Sequence, residues 1–327
     1  MSSIPSTIVR PLQDKGTPAG PSFTPIIPPP RIQAKPFPTL TPFRNPFAGN
    51  LYTTHNTTVH EGETKRRGMS EIVEAAIAAF RRGDPVCLFD SDKREGETDL
   101  LFPASFAQPA TMRQLRQDCG GLLFLAIGHD VGEAFGMPYL QDLHTHDVLT
   151  TKYPVLEELK TNDLRYDSRS AFTLSINHRK TYTGITDHDR ALTTRRFAEL
   201  SATVFDEELS NSEAQRRMGA EFRTPGHIPV CRESEGGLLT RQGHTELAVG
   251  IARLAGLVPV VIGAEMLEPN GDGALSVEDA RIWAEERRIP FLEGAEVIQH
   301  CMVNLKNMIP LLKLGEHDAQ NHGSGRF

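Results

Sequence analysis

The sequence lacks any pair of cysteines spaced as C-x-x-C. Its four cysteines (Cys87, Cys119, Cys231 and Cys301) are far apart in a chain of 327 residues. A zinc ribbon or a disulfide framework is therefore not expected, and a reducing compartment, with a cytoplasmic location, fits this cysteine usage best. Cys119 precedes a double glycine and receives no role.

Several other features are also missing. No apolar run is long enough to cross a bilayer, and with a net charge of −7 the chain shows no basic stripe. Membrane insertion and non-specific nucleic-acid binding are therefore not expected. The sequence contains no internal repeat, no G-x-G-x-x-G and no P-loop, so a nucleotide cofactor is not indicated.

The N-terminal region differs in composition from the rest of the chain. Twelve of the 23 prolines fall in the first fifty positions, and apolar periodicity is absent. We predict that residues 1–68 form a Pro-rich, disordered tail, that residues 69–314 form a single catalytic domain, and that residues 315–327 form a polar tail. The first segment has few acidic residues, so targeting to an organelle stays open.

Helical and strand patterns alternate through residues 69–314. Ser70 is predicted to cap a first helix that ends at Gly83, a strand follows at 86–89, and Asp187 is predicted to cap a later helix. Residues 129–168 are poorly patterned, and their histidines, His144 and His146, fit a surface loop better than a metal site. The alternation predicts a layered α/β-type core.

An acidic loop follows the strand at 86–89. It reads F-D-S-D-K-R-E-G-E-T-D from Phe89 to Asp99 and surrounds Arg94 with carboxylates, and Gly96 lets the backbone turn. Clustered carboxylates beside an arginine suit a divalent cation with a phosphorylated or carboxylated ligand. The alternative is a solvated turn, which charge runs commonly form.

A second polar motif, Arg241-Gln-Gly-His-Thr245, comes just before a strongly helical run. Helix N-termini present unpaired N–H groups, so Gly243, His244 and Thr245 are well placed to bind an anion such as phosphate. Arg241 would add a bidentate clamp.

Two further candidates lie at element ends. Glu265 follows a predicted strand that begins at Val258. His227 lies in Pro225-Gly-His227, which is predicted to form a turn. A single histidine after Pro-Gly is by itself weak evidence of function.

Together these stretches resemble the family of 3,4-dihydroxy-2-butanone 4-phosphate synthases of riboflavin biosynthesis. The sequence from Asn177 to Thr186 is similar to that of the archaeal branch of the family. The matching segments are Asp90-Ser-Asp-Lys-Arg-Glu-Gly-Glu-Thr-Asp99, Thr183-Gly-Ile-Thr through Asp189-Arg190, Pro225-Gly-His227, Arg241-Gln-Gly-His-Thr245 and Gly263-Ala-Glu265.

The resemblance implies a lyase that converts D-ribulose 5-phosphate to 3,4-dihydroxy-2-butanone 4-phosphate and formate, through an enediolate stabilised by Mg²⁺ or Mn²⁺. It also implies an α+β fold, with a three-layer α/β/α arrangement around a twisted mixed sheet. The implied assembly is a homodimer with sites near the subunit boundary, and the only implied partner is the small-molecule substrate.

The resemblance also implies residue roles. Glu95 and His244 match the metal ligands. The positions that match substrate contacts or the phosphate-binding segment are Arg94, Asp99, Arg241, Gly243 and Thr245. His227 and Glu265 match positions needed for catalysis. Our hypothesis is that Glu265 takes a proton, with help from Asp99 or Glu97. His227 is expected to assist the departure of the hydroxyl group that leaves.

Two alternatives remain. One is a metal-dependent isomerase or aldolase acting on another sugar phosphate, and the other is a catalytically silent binding or scaffold protein. All of these roles depend on one spatial prediction: Glu95 and His244, far apart in the chain, must meet in the folded protein.

Overall fold

The computed structural model describes the backbone of residues 61–303 and the side chains of residues 71–303. Nearly all of the predicted N-terminal tail, and the whole of the predicted C-terminal tail, lie outside the described residues. The boundaries predicted for the catalytic domain therefore stay a prediction.

Seven strands form one sheet in the described part of the chain. They are β1 (Val86–Phe89), β2 (Thr98–Pro103), β3 (Phe124–Ile127), β4 (Phe172–His178), β5 (Phe222–Arg232), β6 (Val260–Glu265) and β7 (Phe291–Glu293). The helices are α1 (Glu61–Arg81), α2 (Pro109–Gln114), α3 (His129–Ala134), α4 (Leu140–His144), α5 (Asp147–Lys152), α6 (Val155–Glu158), α7 (Asp187–Asp206), α8 (Asn211–Glu221), α9 (His244–Leu254), α10 (Val277–Glu286) and α11 (294–303).

The sheet is mixed. Its strand order is β4-β5-β3-β6-β2-β1-β7. The pairs β1–β7 and β3–β5 are parallel, and the other neighbouring pairs are antiparallel. The two central strands β3 and β6 are apolar at nearly every position because both faces of the sheet are covered.

Alternate side chains of β3 show how the sheet is covered. Phe124 and Ala126 pack in a core with α1 and α9, whereas Leu125 and Ile127 pack in a second core with α2, α7 and α8. Successive strand residues point to opposite faces, so the two cores lie on opposite sides of the sheet. The three-layer α+β architecture predicted from the sequence is therefore confirmed.

The first helix begins earlier than predicted. Helix α1 starts at Glu61, so Ser70 lies inside it and the prediction that Ser70 caps the helix was wrong. The predicted end is confirmed: Gly83 follows the helix with a φ of 90°, a conformation that glycine adopts without steric cost.

Helix α7 is capped by Thr186 and not, as predicted, by Asp187. Thr186 has an extended backbone, and its hydroxyl accepts a hydrogen bond from the backbone N–H of Asp189. Asp187 is the first helical residue, and its carboxylate pairs with Arg116 at 2.9 Å. A threonine followed by two aspartates offers several capping side chains, and backbone conformation selects among them.

The segment without clear periodicity, residues 129–168, is largely helical. It forms α3, α4, α5 and α6, which are four to six residues long. Helices this short show no full apolar repeat, so the sequence pattern missed them. His146 caps α5, since its ring nitrogen accepts from the N–H of Val148. Within residues 61–303, no helix combines the length and apolarity needed to cross a bilayer.

Candidate active site

The acidic loop connects β1 to β2 and is braced by its first residue. The two carboxylate oxygens of Asp90 accept hydrogen bonds from the backbone N–H of Glu95 at 3.0 Å and of Glu97 at 3.1 Å. Gly96 has a φ of 68°, as the predicted turn requires. The loop is thus folded around a buried aspartate, which fixes the positions of Glu95 and Glu97.

His244 begins helix α9 and contacts this loop. Its Nδ1 lies 3.2 Å from a carboxylate oxygen of Glu95, and its Nε2 lies 3.3 Å from the backbone oxygen of Glu97. Gly243 occupies the capping position with an extended backbone, as predicted. The prediction that Glu95 and His244 meet is therefore confirmed, whereas their role as metal ligands stays a prediction.

The charge around His244 is strongly negative. Burial alone would lower the pKa of its imidazole, but the carboxylates of Asp99, Glu95 and Asp90 raise that pKa to about 10. The cluster therefore requires a positive charge at this point. A proton on the imidazole can supply it, and a bound cation would supply it in the place of that proton.

Asp99 lies beneath the cluster on strand β2. Its side chain is fully buried, and neither carboxylate oxygen has a hydrogen-bond partner among the described residues. Burial raises the pKa of Asp99 to about 7, against the opposing influence of His244. Nδ1 of His244 lies 3.9 Å from one of these oxygens, beyond hydrogen-bond distance. Because buried carboxylates are normally hydrogen-bonded, this one indicates a place where a ligand or cation completes the site.

Glu265 is the last residue of β6 and pairs with Asp99 across the sheet. Burial raises its pKa, against hydrogen bonds from its own backbone N–H and that of Leu122. A Cβ at Gly121 would lie 2.5 Å from a carboxylate oxygen of Glu265, so only glycine fits there. Burial also raises the pKa of Glu97, with further contributions from the charges of Glu95 and Glu265.

Arg94 and Arg241, the two predicted anion-binding arginines, converge on Asp167. Their Nη2 atoms lie 3.1 Å and 2.7 Å from the same Asp167 oxygen. Hydrogen bonds from both arginines lower the pKa of Asp167, although burial opposes them. Sequence reasoning missed Asp167 because it lies in the unpatterned segment. Thr245, in the first turn of α9, is buried beside His244 as predicted.

His227 lies apart from the Glu95–His244 contact. The predicted turn is wrong, because Pro225-Gly-His227 belongs to strand β5. The pairing with β4 shifts between Asn177↔Arg223 and Ile176↔Ile228, so the intervening residues bulge from the ladder. His227 is exposed, and its Nδ1 lies 3.0 Å from the amide nitrogen of Asn177.

A cavity of 210 Å³ connects His227 with the neighbourhood of Glu265. Its lining includes His227, Ala264 and Gly121. Ala264 precedes Glu265 in the chain, and the backbone N–H of Gly121 donates to the backbone oxygen of Glu265 at 3.0 Å. His227 therefore faces a space that borders the predicted base, although it does not belong to the Glu95–His244 cluster.

The residues present fit a divalent cation that is only partly held by protein. Among the described residues, no group of three or more histidine, cysteine, aspartate or glutamate side chains is arranged to bind a metal. Glu95 and His244 supply one oxygen and one nitrogen, so substrate oxygens and water would have to complete the coordination shell. Mg²⁺ is commonly bound in this way, with few protein ligands.

A partly buried carboxylate–imidazole cluster beside paired arginines suits a metal-dependent enzyme that acts on an anionic substrate. The chain belongs to the family of 3,4-dihydroxy-2-butanone 4-phosphate synthases, whose pattern it matches over residues 74–300. The resemblance seen in the sequence is thereby confirmed.

Archaeal relatives support the same assignment. The 3,4-dihydroxy-2-butanone 4-phosphate synthase of Methanothermobacter thermautotrophicus is 38% identical over 231 residues, which cover 71% of this chain and 96% of the relative. The synthase of Archaeoglobus fulgidus is 41% identical over 231 residues, covering 69% and 92%. A solved structure of a synthase in complex with two magnesium ions is 26% identical with a TM-score of 0.53, covering 70% of this chain and 95% of that one.

Proposed function

We propose that this protein is a 3,4-dihydroxy-2-butanone 4-phosphate synthase that converts D-ribulose 5-phosphate to 3,4-dihydroxy-2-butanone 4-phosphate and formate. The observation that carries the proposal is the 3.2 Å contact between Glu95 and His244, directly beside the buried carboxylate of Asp99, which accepts no hydrogen bond from the described residues. Such an arrangement leaves negative charge uncompensated within the protein and so favours a cationic cofactor.

Glu95 and His244 would hold the divalent cation, Mg²⁺ or Mn²⁺. A bound cation supplies charge compensation for the negative oxygens that develop on a ketose during enolisation. The relative solved with two magnesium ions supports the choice of Mg²⁺. Mn²⁺ shares the preference of Mg²⁺ for carboxylate, carbonyl and water oxygens.

Proton transfer is assigned to the carboxylates around the cluster. Glu265 takes the first proton, because burial raises its pKa toward neutrality and makes it a stronger base than an exposed glutamate. Asp99 or Glu97, whose pKa values are also raised, assists. His227 handles the hydroxyl that leaves, from the cavity that borders Glu265.

The phosphate end of the substrate is assigned to the other polar residues. Arg94 and Arg241 provide guanidinium groups, while Gly243 and Thr245 lie at the positive end of α9. Asp99 contacts the sugar hydroxyls. Anchoring the end that does not react uses its binding energy to orient the carbons that do.

We also propose that the protein works as a cytoplasmic homodimer, with sites near the subunit boundary. The loop between β4 and α7 exposes Tyr182 at 94% and Ile185 at 48%, an apolar surface that a second subunit could cover. Light scattering after gel filtration tests this, and a monomeric mass at working concentration would contradict it.

Incubation of the purified protein with ribulose 5-phosphate and Mg²⁺, followed by detection of formate, tests the function. We expect formate with Mg²⁺ and none with a chelator. An isomerase or aldolase acting on another sugar phosphate would release no formate. A silent binding protein would leave the substrate unchanged, and calorimetry would separate it from a protein that binds nothing.

A further inference from the structure

Asp167 shares its carboxylate between two arginines from distant parts of the chain. Arg94 belongs to the acidic loop and Arg241 to the segment before α9, and both donate to the same oxygen. All three side chains are largely buried, with exposed fractions between 14% and 16%. The geometry is that of one small anion held between two guanidinium groups.

The charges in this arrangement are already balanced. Arg241 also binds Glu246, whose side chain is fully buried, at 2.5 Å. Two guanidinium groups therefore face two carboxylates, and little net positive charge remains to attract an incoming dianion. A phosphate group cannot bind both arginines strongly while the carboxylate of Asp167 stays between them.

The arginines nevertheless have donors to spare. The Nε atoms of Arg94 and Arg241 are buried and lack a hydrogen-bond partner among the described residues. Unpaired buried donors cost free energy. A terminal phosphate offers three oxygens where Asp167 offers two, so it can satisfy more of these donors than the carboxylate does.

The segment that carries Asp167 is loosely packed. We call residues 147–168 the cover segment. Its helices α5 and α6 contribute no fully buried residue, and it exposes Val148 at 67%, Val155 at 57% and Leu159 at 71%. Segments with few buried apolar contacts separate from a fold at low cost.

There is also room for the carboxylate to move. A cavity of 510 Å³ lies between residues 166–169 on one side and residues 234–236, Thr240 and Arg241 on the other. The side chain of Asp167 borders this space, so it can leave the arginines without a rearrangement of the sheet.

We propose that Asp167 is a built-in competitor for the phosphate of the substrate: it occupies the anion position between Arg94 and Arg241 until a phosphate displaces it and releases the cover segment. The inference rests on the proposed function in taking the substrate to be a sugar phosphate. It adds a positioning residue and a conformational step to that function.

Titration with inorganic phosphate, followed by calorimetry, tests the competition directly. Asp167→Asn keeps the shape of the side chain and removes its charge, so we expect this variant to bind phosphate about tenfold more tightly than the parent protein. Asp142→Asn is the matched control. Asp142 pairs with Arg169, next to the cover segment, at 3.4 Å and does not contact the two arginines; its phosphate affinity should equal that of the parent.

Limited trypsin digestion provides a readout that a purely structural role would not change. Lys160 and Arg165 are exposed cleavage sites in the cover segment. Phosphate should accelerate their cleavage in the parent protein and in Asp142→Asn. In Asp167→Asn, cleavage should be fast with or without phosphate.

The competition is refuted if Asp167→Asn binds phosphate no more tightly than the parent, or if none of the three proteins binds phosphate. The formate assay separates this result from the fate of the proposed function. Formate release together with unchanged phosphate affinity in Asp167→Asn removes only the competition. If Asp167→Asn binds phosphate more tightly than the parent but no formate is released, only the synthase assignment is refuted.

Discussion

Two buried acidic residues, Glu233 and Asp99, differ in how their charge is compensated. Glu233 follows β5, and its oxygens accept from Arg253 at 2.7 Å and 2.8 Å and from the backbone N–H of His129 at 3.0 Å. Arg253 in turn binds Asp130 at 3.0 Å. Asp99, equally buried, has no hydrogen-bond partner within the described residues.

The difference identifies which buried carboxylate is available for chemistry. A carboxylate whose lone pairs are all used by the protein holds elements together, and here it links β5, α3 and α9. A carboxylate left unpaired costs free energy in the unliganded protein and has free lone pairs for a substrate, a cation or a proton. Acidic composition alone would not separate these two residues.

The largest expected effect is on turnover. Glu265→Gln removes the proposed base and should lower turnover about 10²–10⁴-fold. The far-UV circular dichroism spectrum should stay unchanged, since an amide fits the same space beside Gly121. Turnover close to that of the parent protein would refute the assignment of Glu265.

The next effect is a difference in the free energy of unfolding between variants of the two buried carboxylates, Glu233 and Asp99. Glu233→Gln removes the negative charge that Arg253 pairs with at 2.7 Å and should lower the free energy of unfolding by about 3 kcal/mol. Asp99→Asn breaks no hydrogen bond within the described residues and removes a longer ion pair, 3.9 Å, with His244, so in chelator it should be at least about 2 kcal/mol more stable than Glu233→Gln. Urea unfolding measures both. Equal losses in the two variants would remove the distinction between the residues.

A third effect concerns pH and accumulates gradually, over several pH units. The pKa of His244 is raised from 6.5 to about 10. Between these two pH values the folded protein keeps a proton on His244 that the unfolded chain releases. In chelator, this contribution to stability is complete below pH 6.5 and is lost as the pH rises toward 10, with a slope of at most about 1.4 kcal/mol per pH unit.

Saturating Mg²⁺ should flatten that slope, because a cation bound by His244 replaces the ring proton. Urea unfolding at several pH values, with and without the metal, provides the measurement. His244→Ala is the control: it lacks this contribution, and Mg²⁺ should not change the slope that remains. If the free energy of unfolding of the metal-free parent rose between pH 6.5 and pH 10, the predicted direction would be wrong.

The smallest effect is expected at Asp130, the outermost residue of the ion-pair network formed by Glu233, Arg253 and Asp130. Asp130 is 45% exposed and binds Arg253 at the surface. Asp130→Asn should change the free energy of unfolding by only about 0.2–1 kcal/mol and leave formate release unaltered. A large loss of activity would mean that this ion-pair network also supports catalysis.

Much of the site could be predicted from the sequence because its parts lie at element ends. Short-range patterns show where a strand or helix stops, and so placed Glu95 after β1, His244 at the start of α9 and Glu265 at the end of β6. The motifs then connected these positions. Whether the residues bind metal or transfer protons stays a prediction.

The remaining features depend on contacts that no local pattern encodes. Asp167 lies in a segment whose helices are too short to show periodicity, and its importance arises only from the two arginines it meets. The bulge at Gly226 reads as a turn because Pro-Gly usually forms one. Strand pairing with β4 overrides that preference.

The close approach of Gly121 to Glu265 bears on how this enzyme could be engineered. A single methyl group at position 121 would occupy space already filled by the carboxylate, so random mutagenesis there should return only inactive clones. Libraries that seek new substrates are better directed to the cover segment, where exposed side chains tolerate replacement. Position 121 is therefore closed to variation, whereas the exposed positions of the cover segment can be redesigned.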